Sequence, residues 1–242
     1  KKIKVIHIDK TKEPNMDLVL LKGKRYALRK GVLAAKNNYL LFTDADCFPQ
    51  SKYWITEMTK AFSDEHIEIV LAYSPYIKEK GFLNKCIQLE TLLTAFHYFG
   101  LANLGLPYMG VGRNIAYKKS VFNDELFIKS NLSISGDDDL IVQQLVSQKN
   151  TAYITSYNSR MMSIPKTKIK NYITQKKRHL RAGLSYSIKI KLILNFFPVF
   201  LLLFIISTCF LFFHGFLVAF SLFTLHSLAV FFLIRKSVLV KC

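Results

Sequence analysis

The stretch Tyr39-Leu40-Leu41-Phe42-Thr43-Asp44-Ala45-Asp46-Cys47 decides the fold class of this chain. An apolar run that gives way to polar residues predicts a buried β-strand ending near Thr43, and Pro49 just downstream favours that end. The two carboxylates of Asp44 and Asp46 then lie at the carboxyl edge of a sheet. The stretch therefore predicts a binding site at that edge.

Two carboxylates this close repel each other unless a cation lies between them. Mg²⁺ or Mn²⁺ prefers oxygen ligands and often arrives with the phosphates of a substrate. We therefore predict a divalent-cation site at Asp44 and Asp46. The residues alone leave one alternative open, a solvated aspartate pair in an ordinary turn.

The apolar periodicity around this stretch alternates between strand and helix. It predicts strands over residues 2–8, 39–43, 67–73, 115–117 and 151–154, and helices over 25–36, 52–62, 83–104 and 168–184. This order predicts an α/β fold with a mostly parallel sheet flanked by helices, in which ligands bind at the carboxyl ends of the strands. The apolar helix over 83–104 either packs on the sheet or lies partly against lipid.

A second acidic segment, Ser135-Gly136-Asp137-Asp138-Asp139-Leu140, precedes residues with helical periodicity. Carboxylates at a helix N-terminus are stabilised by the helix dipole, which is the alternative to a catalytic role. Three consecutive aspartates exceed what a cap requires, so at least one is a candidate general base. The glycines of Gly110-Val111-Gly112-Arg113-Asn114 would let the backbone approach a ligand, although the spacing alone favours an ordinary glycine turn.

The carboxyl-terminal part of the chain is apolar. Residues 192–213 contain no charged side chain, and residues 216–234 contain only His226 among ionisable ones. Each run has about the 20 residues that a helix needs to cross a bilayer. We predict a transmembrane hairpin with its turn at His214-Gly215, with buried helices of a soluble core as the alternative.

The net charge of +18 is concentrated beside these runs. Basic residues crowd residues 166–191, and Arg235, Lys236 and Lys241 follow the second run. Positive charge at both ends of a hairpin places those ends, and the catalytic part, on the cytoplasmic side of an integral membrane protein, where anionic lipid attracts them. No recognised nucleic-acid module is present, so we expect no nucleic-acid partner.

The predicted basic helix over 168–184 is partly amphipathic and is expected to lie on the membrane surface. Gln175, Arg178 and His179 fall on neighbouring faces of this helix. The planar guanidinium of Arg178 suits a diphosphate, with contact to lipid headgroups as the alternative. The four cysteines, Cys47, Cys86, Cys209 and Cys242, are too far apart to predict a zinc site or a disulfide framework.

Taken in order, these segments resemble membrane-associated family 2 glycosyltransferases with a GT-A catalytic fold. Gly23-Lys24-Arg25-Tyr26-Ala27-Leu28 is similar to the family's G-K-x-x-A-L segment, and Thr43-Asp44-Ala45-Asp46 to its D-x-D. The segment with Asp137 sits where T-E-D-x-x-L occurs, and Gln175-Lys176-Lys177-Arg178-His179 resembles Q-x-x-R-W with His179 in place of Trp. The likeness covers about residues 2–183.

The resemblance implies a nucleoside diphosphate sugar as donor, Mn²⁺ or Mg²⁺ as cofactor, and transfer with inversion. It assigns Asp46 to the metal, Asp44 to the metal and the donor's ribose or sugar, and Lys24 to donor binding. One alignment of the acidic segment makes Asp137 the general base, and another makes it Asp138. The resemblance also implies that the donor diphosphate or the acceptor channel is contacted by Gln175, Arg178 and His179, and that the acceptor site is bordered by Gly112, Arg113 and Asn114.

These inferences predict a division of the chain. Residues 1–165 are expected to form a partial GT-A catalytic domain, truncated at its amino end, and residues 166–191 a basic interfacial helix. Two transmembrane helices follow over 192–235, and a cytoplasmic tail over 236–242. The predicted reaction delivers a sugar to a lipid-linked or polysaccharide acceptor at the membrane. The alternative is a non-catalytic membrane-anchored protein that binds a cation and anionic lipid.

Overall fold

The computed structural model describes residues 4–8, 24–123, 142, 145, 147, 149–183 and 186–236. The chain divides into two compact units, Lys1–Ser185 and Tyr186–Cys242. Each unit has its own architecture, and the candidate site residues all belong to the first.

The first unit is built on a four-stranded sheet with the strand order β1-β4-β3-β5. Its strands are β1 (Tyr39–Phe42), β3 (Ile69–Ala72), β4 (Ile115–Lys118) and β5 (Thr151–Ile154). Strand β3 pairs in parallel with β5, whereas β4 runs antiparallel between β1 and β3. Because β1, β3 and β5 share one direction, the predicted α/β sheet flanked by helices is confirmed, with β4 antiparallel to its two neighbours.

Helices cover this sheet. Helix α1 spans Lys24–Ala34, α2 spans Trp54–Thr59 and continues as a 3₁₀ turn over Lys60–Ser63, and α3 spans Phe82–Asn103. Strand β3 is buried along its whole length, as its uninterrupted apolar sequence requires. Met58 of α2 and Phe62 pack with Val70 and Ala116 in the core beneath it.

A two-stranded antiparallel ribbon follows the first strand. It consists of β2 (Cys47–Pro49) and β6 (Met161–Ser163), with Cys47 opposite Ser163. The basic helix α4 spans Ile169–Gly183. The ribbon ties the segment just before α4 to the end of β1, so residues distant in sequence meet at one end of the sheet.

The predicted strand over residues 2–8 is wrong for its described part. Residues 4–8 form no strand, and Val5 is 83% exposed. Alternating charged and apolar residues make a strand only where one face is buried against a partner. Among the described residues, none pairs with this segment.

The second unit contains α5 (Ile188–His214) and α6 (Phe216–Lys236), separated at Gly215. The rings of Phe204 and His226 lie 4.3 Å apart, so the two helices pack against each other. Within the described part of the chain, one helix is long and apolar enough to cross a membrane, over Ile188–Phe213 with a mean hydropathy of 2.6. The predicted second span stays a prediction.

Candidate active site

The first part of the site is the acidic turn, defined here as residues 44–47. Strand β1 ends at Phe42, and the amide of Cys47 donates a hydrogen bond of 3.1 Å to the carbonyl oxygen of Asp44. Cys47 then begins β2. Backbone hydrogen bonds therefore fix the turn from both sides, and the predicted position of the aspartates at the carboxyl end of a strand is confirmed.

The acidic turn brings three potential metal ligands together. Oxygen atoms of Asp44 and Asp46 and the sulfur of Cys47 all lie within 4.8 Å of one another. The Cys47 thiol also donates a weak hydrogen bond of 3.6 Å to Asp46 Oδ1. Carboxylate oxygens at this spacing suit a hard divalent cation such as Mn²⁺ or Mg²⁺. The donor set therefore fits the predicted cofactor.

Cys47 is the less suited of these ligands. Burial raises the pKa of its thiol, and the charges of Asp46 and Asp44 raise it as well. The hydrogen bond with Ser163 and the charge of Arg113 lower this pKa, each with less effect than burial but more than either aspartate. Because the thiolate rather than the thiol binds metal, the two carboxylates are better suited than Cys47 to hold a divalent cation.

The second part of the site is the glycine loop, residues 110–114, which leads into β4. A Cβ atom on Gly110 would lie 2.8 Å from both Ile115 Cδ1 and Leu71 Cδ2, so the loop packs directly on the core. Val142, fully buried, would lie 3.3 Å from the same Cβ atom. The chain that follows the second acidic segment therefore packs on this loop.

Asn114 is fully buried and joins three segments. Its Nδ2 donates to the carbonyl oxygens of Tyr73 at 2.7 Å and Ser159 at 2.9 Å, and its Oδ1 accepts from Trp54 Nε1 at 2.9 Å. The side-chain amide of Asn114 therefore makes these three hydrogen bonds inside the protein. This geometry gives Asn114 the role of positioning the loop.

Arg113, its neighbour, is half-buried and aimed at the end of β3. Its Nε donates to Ser74 Oγ at 2.7 Å, and its Nη2 donates to the Ser74 carbonyl oxygen at 2.8 Å. Its guanidinium carbon lies 4.7 Å from the centre of the Tyr76 ring, a cation–π arrangement. Ser163 pairs with Cys47 in the ribbon and also forms a bridge with Tyr76, so the end of the acidic turn lies near the tyrosine that Arg113 covers.

The third part of the site is helix α4. Gln175 Nε2 donates a hydrogen bond of 3.1 Å to Tyr76 Oη, and Lys176 forms an ion pair with Glu90 of α3. The Lys176 ammonium also lies 5.4 Å from the centre of the Tyr172 ring. These contacts dock the Q-x-x-R-H segment on α3 and on the residues that follow β3.

Positive charge gathers around His179. Desolvation by neighbouring groups lowers the pKa of His179 to about 4, and the charges of Lys176, Arg178 and Arg113 lower it further, although the residue is exposed. Glu90 opposes them more weakly. The imidazole is therefore neutral near pH 7, where it can both donate and accept a hydrogen bond.

Tyr76 connects these parts. Its ring lies under Arg113 and its hydroxyl accepts from Gln175. Neither Tyr76 nor Ser74 was predicted from the sequence. The available signal was their place directly after the buried strand β3, since ligands of α/β sheets bind at the carboxyl ends of strands.

The remaining predicted site residues are Lys24, Asp137, Asp138, Arg178 and Gly112. Helix α1 begins at Lys24, and its side chain is outside the described part of the chain. Asp137 and Asp138 also lie outside the described residues. Arg178 is on α4, and Gly112 is half-buried in the glycine loop.

Residues 20–126 match the family model described as Glycosyl transferase family 2. The match covers α1, the acidic turn and the glycine loop, and it confirms the resemblance to family 2 glycosyltransferases. No curated protein matches the chain.

Solved structures that match part of this chain include glucosyl-3-phosphoglycerate synthase from Mycobacterium tuberculosis in complex with Mn²⁺ and UDP-glucose. The identity is 13% and the TM-score 0.42, with 67% of this chain and 54% of that chain covered. A second structure of that enzyme, which also contains glycerol 3-phosphate, gives 14% identity and a TM-score of 0.38, with 64% and 51% covered. The chain thus aligns with about half the length of these structures.

Proposed function

We propose that this chain is an inverting glycosyltransferase that moves a sugar from a nucleoside diphosphate sugar to a hydroxyl group of a lipid-linked or polysaccharide acceptor. The observation that supports this most is the meeting of three segments around Tyr76. They are the acidic turn, whose Cys47 pairs with the Ser163 that bridges to Tyr76, the glycine loop through Arg113, and the basic helix α4 through Gln175. A diphosphate leaving group is stabilised by a metal ion held on carboxylates and by cationic side chains beside it.

Asp46 and Asp44 would hold the divalent cation, with Asp44 also reaching the ribose or sugar of the donor. The bound ion would neutralise charge on the diphosphate. The exposure of Asp46 supports this role, because a donor can reach it from solvent. Lys24 is assigned to donor binding by the family resemblance alone.

The cations of the site would stabilise the departing diphosphate. Arg178 offers a planar fork for two hydrogen bonds to phosphate oxygens. Gln175 and His179 lie on the same helix, and the neutral His179 supplies hydrogen bonds rather than charge. Arg113 and Gly112 would border the acceptor, held in place by Asn114.

The general base is assigned to Asp137, with Asp138 as the alternative. The base takes the proton of the acceptor hydroxyl, whose oxygen attacks the anomeric carbon while the bond to the diphosphate oxygen breaks on the opposite face. Four residues lie between Asp137 and Val142, so their Cα atoms are at most about 18 Å apart. Because Val142 packs at the glycine loop, this tether is compatible with a base in the site.

The reaction would take place at the cytoplasmic face of a membrane. The apolar helix over Ile188–Phe213 supports membrane anchoring. The basic helix α4, with its lysines and arginines, supports contact with anionic lipid. We therefore assign the acceptor to the lipid surface, as a lipid-linked sugar or a growing glycan.

Two variants of the acidic segment identify the base. In the full chain, reconstituted in vesicles with Mn²⁺, Asp137→Asn should lower sugar transfer by about 10²–10⁴-fold. Asp138→Asn serves as its matched control and should retain most of the activity. The reverse order of effects would assign the base to Asp138, and near-wild-type transfer by both variants would contradict a base in this segment.

Donor binding separates catalysis from the non-catalytic alternative. A panel of nucleoside diphosphate sugars is added to the full chain with Mn²⁺, and thermal unfolding is followed by the fluorescence of Trp54, the single tryptophan. A rise in the unfolding temperature with at least one donor is expected, because a ligand that binds the folded state stabilises it. No rise with any donor would favour the binding-only protein.

A further inference from the structure

Helix α3 has two faces with opposite surroundings. Ile87, Ala95 and Tyr98 are buried against the sheet. Phe82, Leu89 and Leu93 lie on the opposite face, at spacings that align them along the helix, and are between 41% and 82% exposed. Large apolar side chains aligned in this way indicate a surface that meets something other than water.

Helix α4 carries a similar stripe. Ile169, Ile173 and Leu180 align on one face and are between 46% and 73% exposed. They lie about 120–160° around the helix from Gln175, which contacts Tyr76.

An ion pair joins the two helices beside these stripes. On α4, at about 100° per residue, Lys176 lies at the edge of the apolar stripe, on the side of Gln175, which contacts Tyr76. On α3, Glu90 lies between the buried face and the stripe. Lys176 pairs with Glu90. We call the two exposed stripes together the outer apolar surface.

Basic residues border this surface. Exposed cations lie beside both stripes and in the segment before α3, namely Lys78, Lys80, Lys85, Lys170, Lys177 and Arg181. Of the neighbouring acids, Glu90 is paired with Lys176, and Glu79 is exposed. Apolar side chains between rows of cations fit the boundary between anionic headgroups and acyl chains. The charge pattern therefore identifies an anionic bilayer as the occupant.

We propose that α3 and α4 together rest on an anionic lipid bilayer through the outer apolar surface. This inference rests on the membrane association in the proposed function and adds α3 to the part of the protein that contacts lipid. It places the helix with Gln175 and His179 at the level of the headgroups. A hydroxyl acceptor attached to lipid lies at that level, so the enzyme would meet it without extracting it from the membrane.

Photocrosslinking tests this surface in the full chain. A benzophenone amino acid replaces Leu89, and in a matched variant it replaces Ile55 of α2; these positions are 53% and 55% exposed. Each variant is reconstituted in phosphatidylcholine vesicles with a minor fraction of phosphatidylglycerol and a radiolabelled lipid. Irradiation should label the Leu89 variant roughly tenfold more than the Ile55 variant, because only the former meets acyl chains.

A variant with the probe at Leu180 tests whether α4 takes part, and it should label as strongly as the Leu89 variant. Vesicles without phosphatidylglycerol should reduce labelling at Leu89 severalfold, since the lysines then lose their partner. Equal lipid labelling at Leu89 and Ile55, or crosslinks from Leu89 to protein alone, would overturn the proposal. The assay uses neither donor nor acceptor, so its result is independent of the transfer reaction.

Discussion

The glycine loop and helix α4 both bring cations to the candidate site, but the fold holds them in different ways. The loop is part of the interior, with Asn114 fully buried and Arg113 bonded twice to Ser74. Helix α4 is held at the surface, where the side chains of Lys176 and Glu90 remain 28% and 39% exposed. Exposed ion pairs contribute only about 0–1 kcal/mol. The loop therefore sets the geometry of the site, and the helix can adjust to a substrate at low cost.

The largest expected effect lies in the loop. Asn114→Ala removes the partner of Trp54 Nε1 and of two buried carbonyl oxygens, so we expect the free energy of unfolding to fall by about 2–4 kcal/mol. Asn103→Ala is the matched control, because Asn103 is exposed and accepts one hydrogen bond, from Tyr153. The measurement is unfolding in detergent followed by Trp54 fluorescence. Similar losses in both variants would refute the interior role of Asn114.

A smaller effect is expected where loop and helix meet. Tyr76→Phe keeps the ring under Arg113 but removes the hydroxyl that accepts from Gln175, a loss of about 0.5–1.5 kcal/mol. Hydrogen exchange of the α4 backbone amides should become faster, with little change in the sheet. Tyr153→Phe, which removes a hydroxyl bonded to Asn103, should leave α4 unchanged. Unaltered exchange in α4 of Tyr76→Phe would show that this contact does not hold the helix.

A further effect concerns the pH dependence of the stability of helix α4. His179 has a folded pKa of about 4 against an ordinary value of 6.5. Between these values the unfolded chain binds a proton that the folded chain does not, so stability falls as pH is lowered through this window. The groups that act on the imidazole are Lys176 and Arg178 of α4, Arg113 of the loop and Glu90 of α3.

His179→Gln removes the titrating group, so its unfolding temperature should fall less than that of the wild type between pH 6.5 and 4. His66→Gln, a change at an exposed histidine in a turn, is the control and should leave the slope unchanged. Parallel curves for the wild type and His179→Gln would contradict the depressed pKa of His179.

The sequence predicted the local features of the fold well. The predicted strand over 151–154 agrees with β5 residue for residue, and the acidic turn was located because an apolar run followed by polar residues is a local pattern. The antiparallel course of β4 was not predicted, since strand direction depends on pairing between distant segments. The strand over 2–8 was predicted wrongly because alternation alone does not reveal whether a partner covers it.

In the candidate site, too, only the residues that belong to local motifs were predicted from the sequence. The aspartates and the Q-x-x-R-H segment were found from motifs, whereas the residues that join them were not. Ser74, Tyr76 and Glu90 have no motif of their own, and their importance follows only from contacts across 39, 99 and 86 residues of sequence. Asn114 was assigned to the acceptor side by resemblance, and its burial is a tertiary property that no local pattern reveals.

The acidic turn and helix α4 are proposed to bind the same ligand. The effect of a nucleoside diphosphate on Mn²⁺ binding tests this directly. Mn²⁺ binding to the full chain is measured by electron paramagnetic resonance, with and without each nucleoside diphosphate. At least one of them should tighten Mn²⁺ binding by about tenfold. Asp46→Asn should abolish the binding, and Arg178→Gln should reduce only the tightening. The exposed Asp64→Asn should behave as the wild type. Mn²⁺ binding that no nucleoside diphosphate alters, or that survives Asp46→Asn unchanged, would contradict the account.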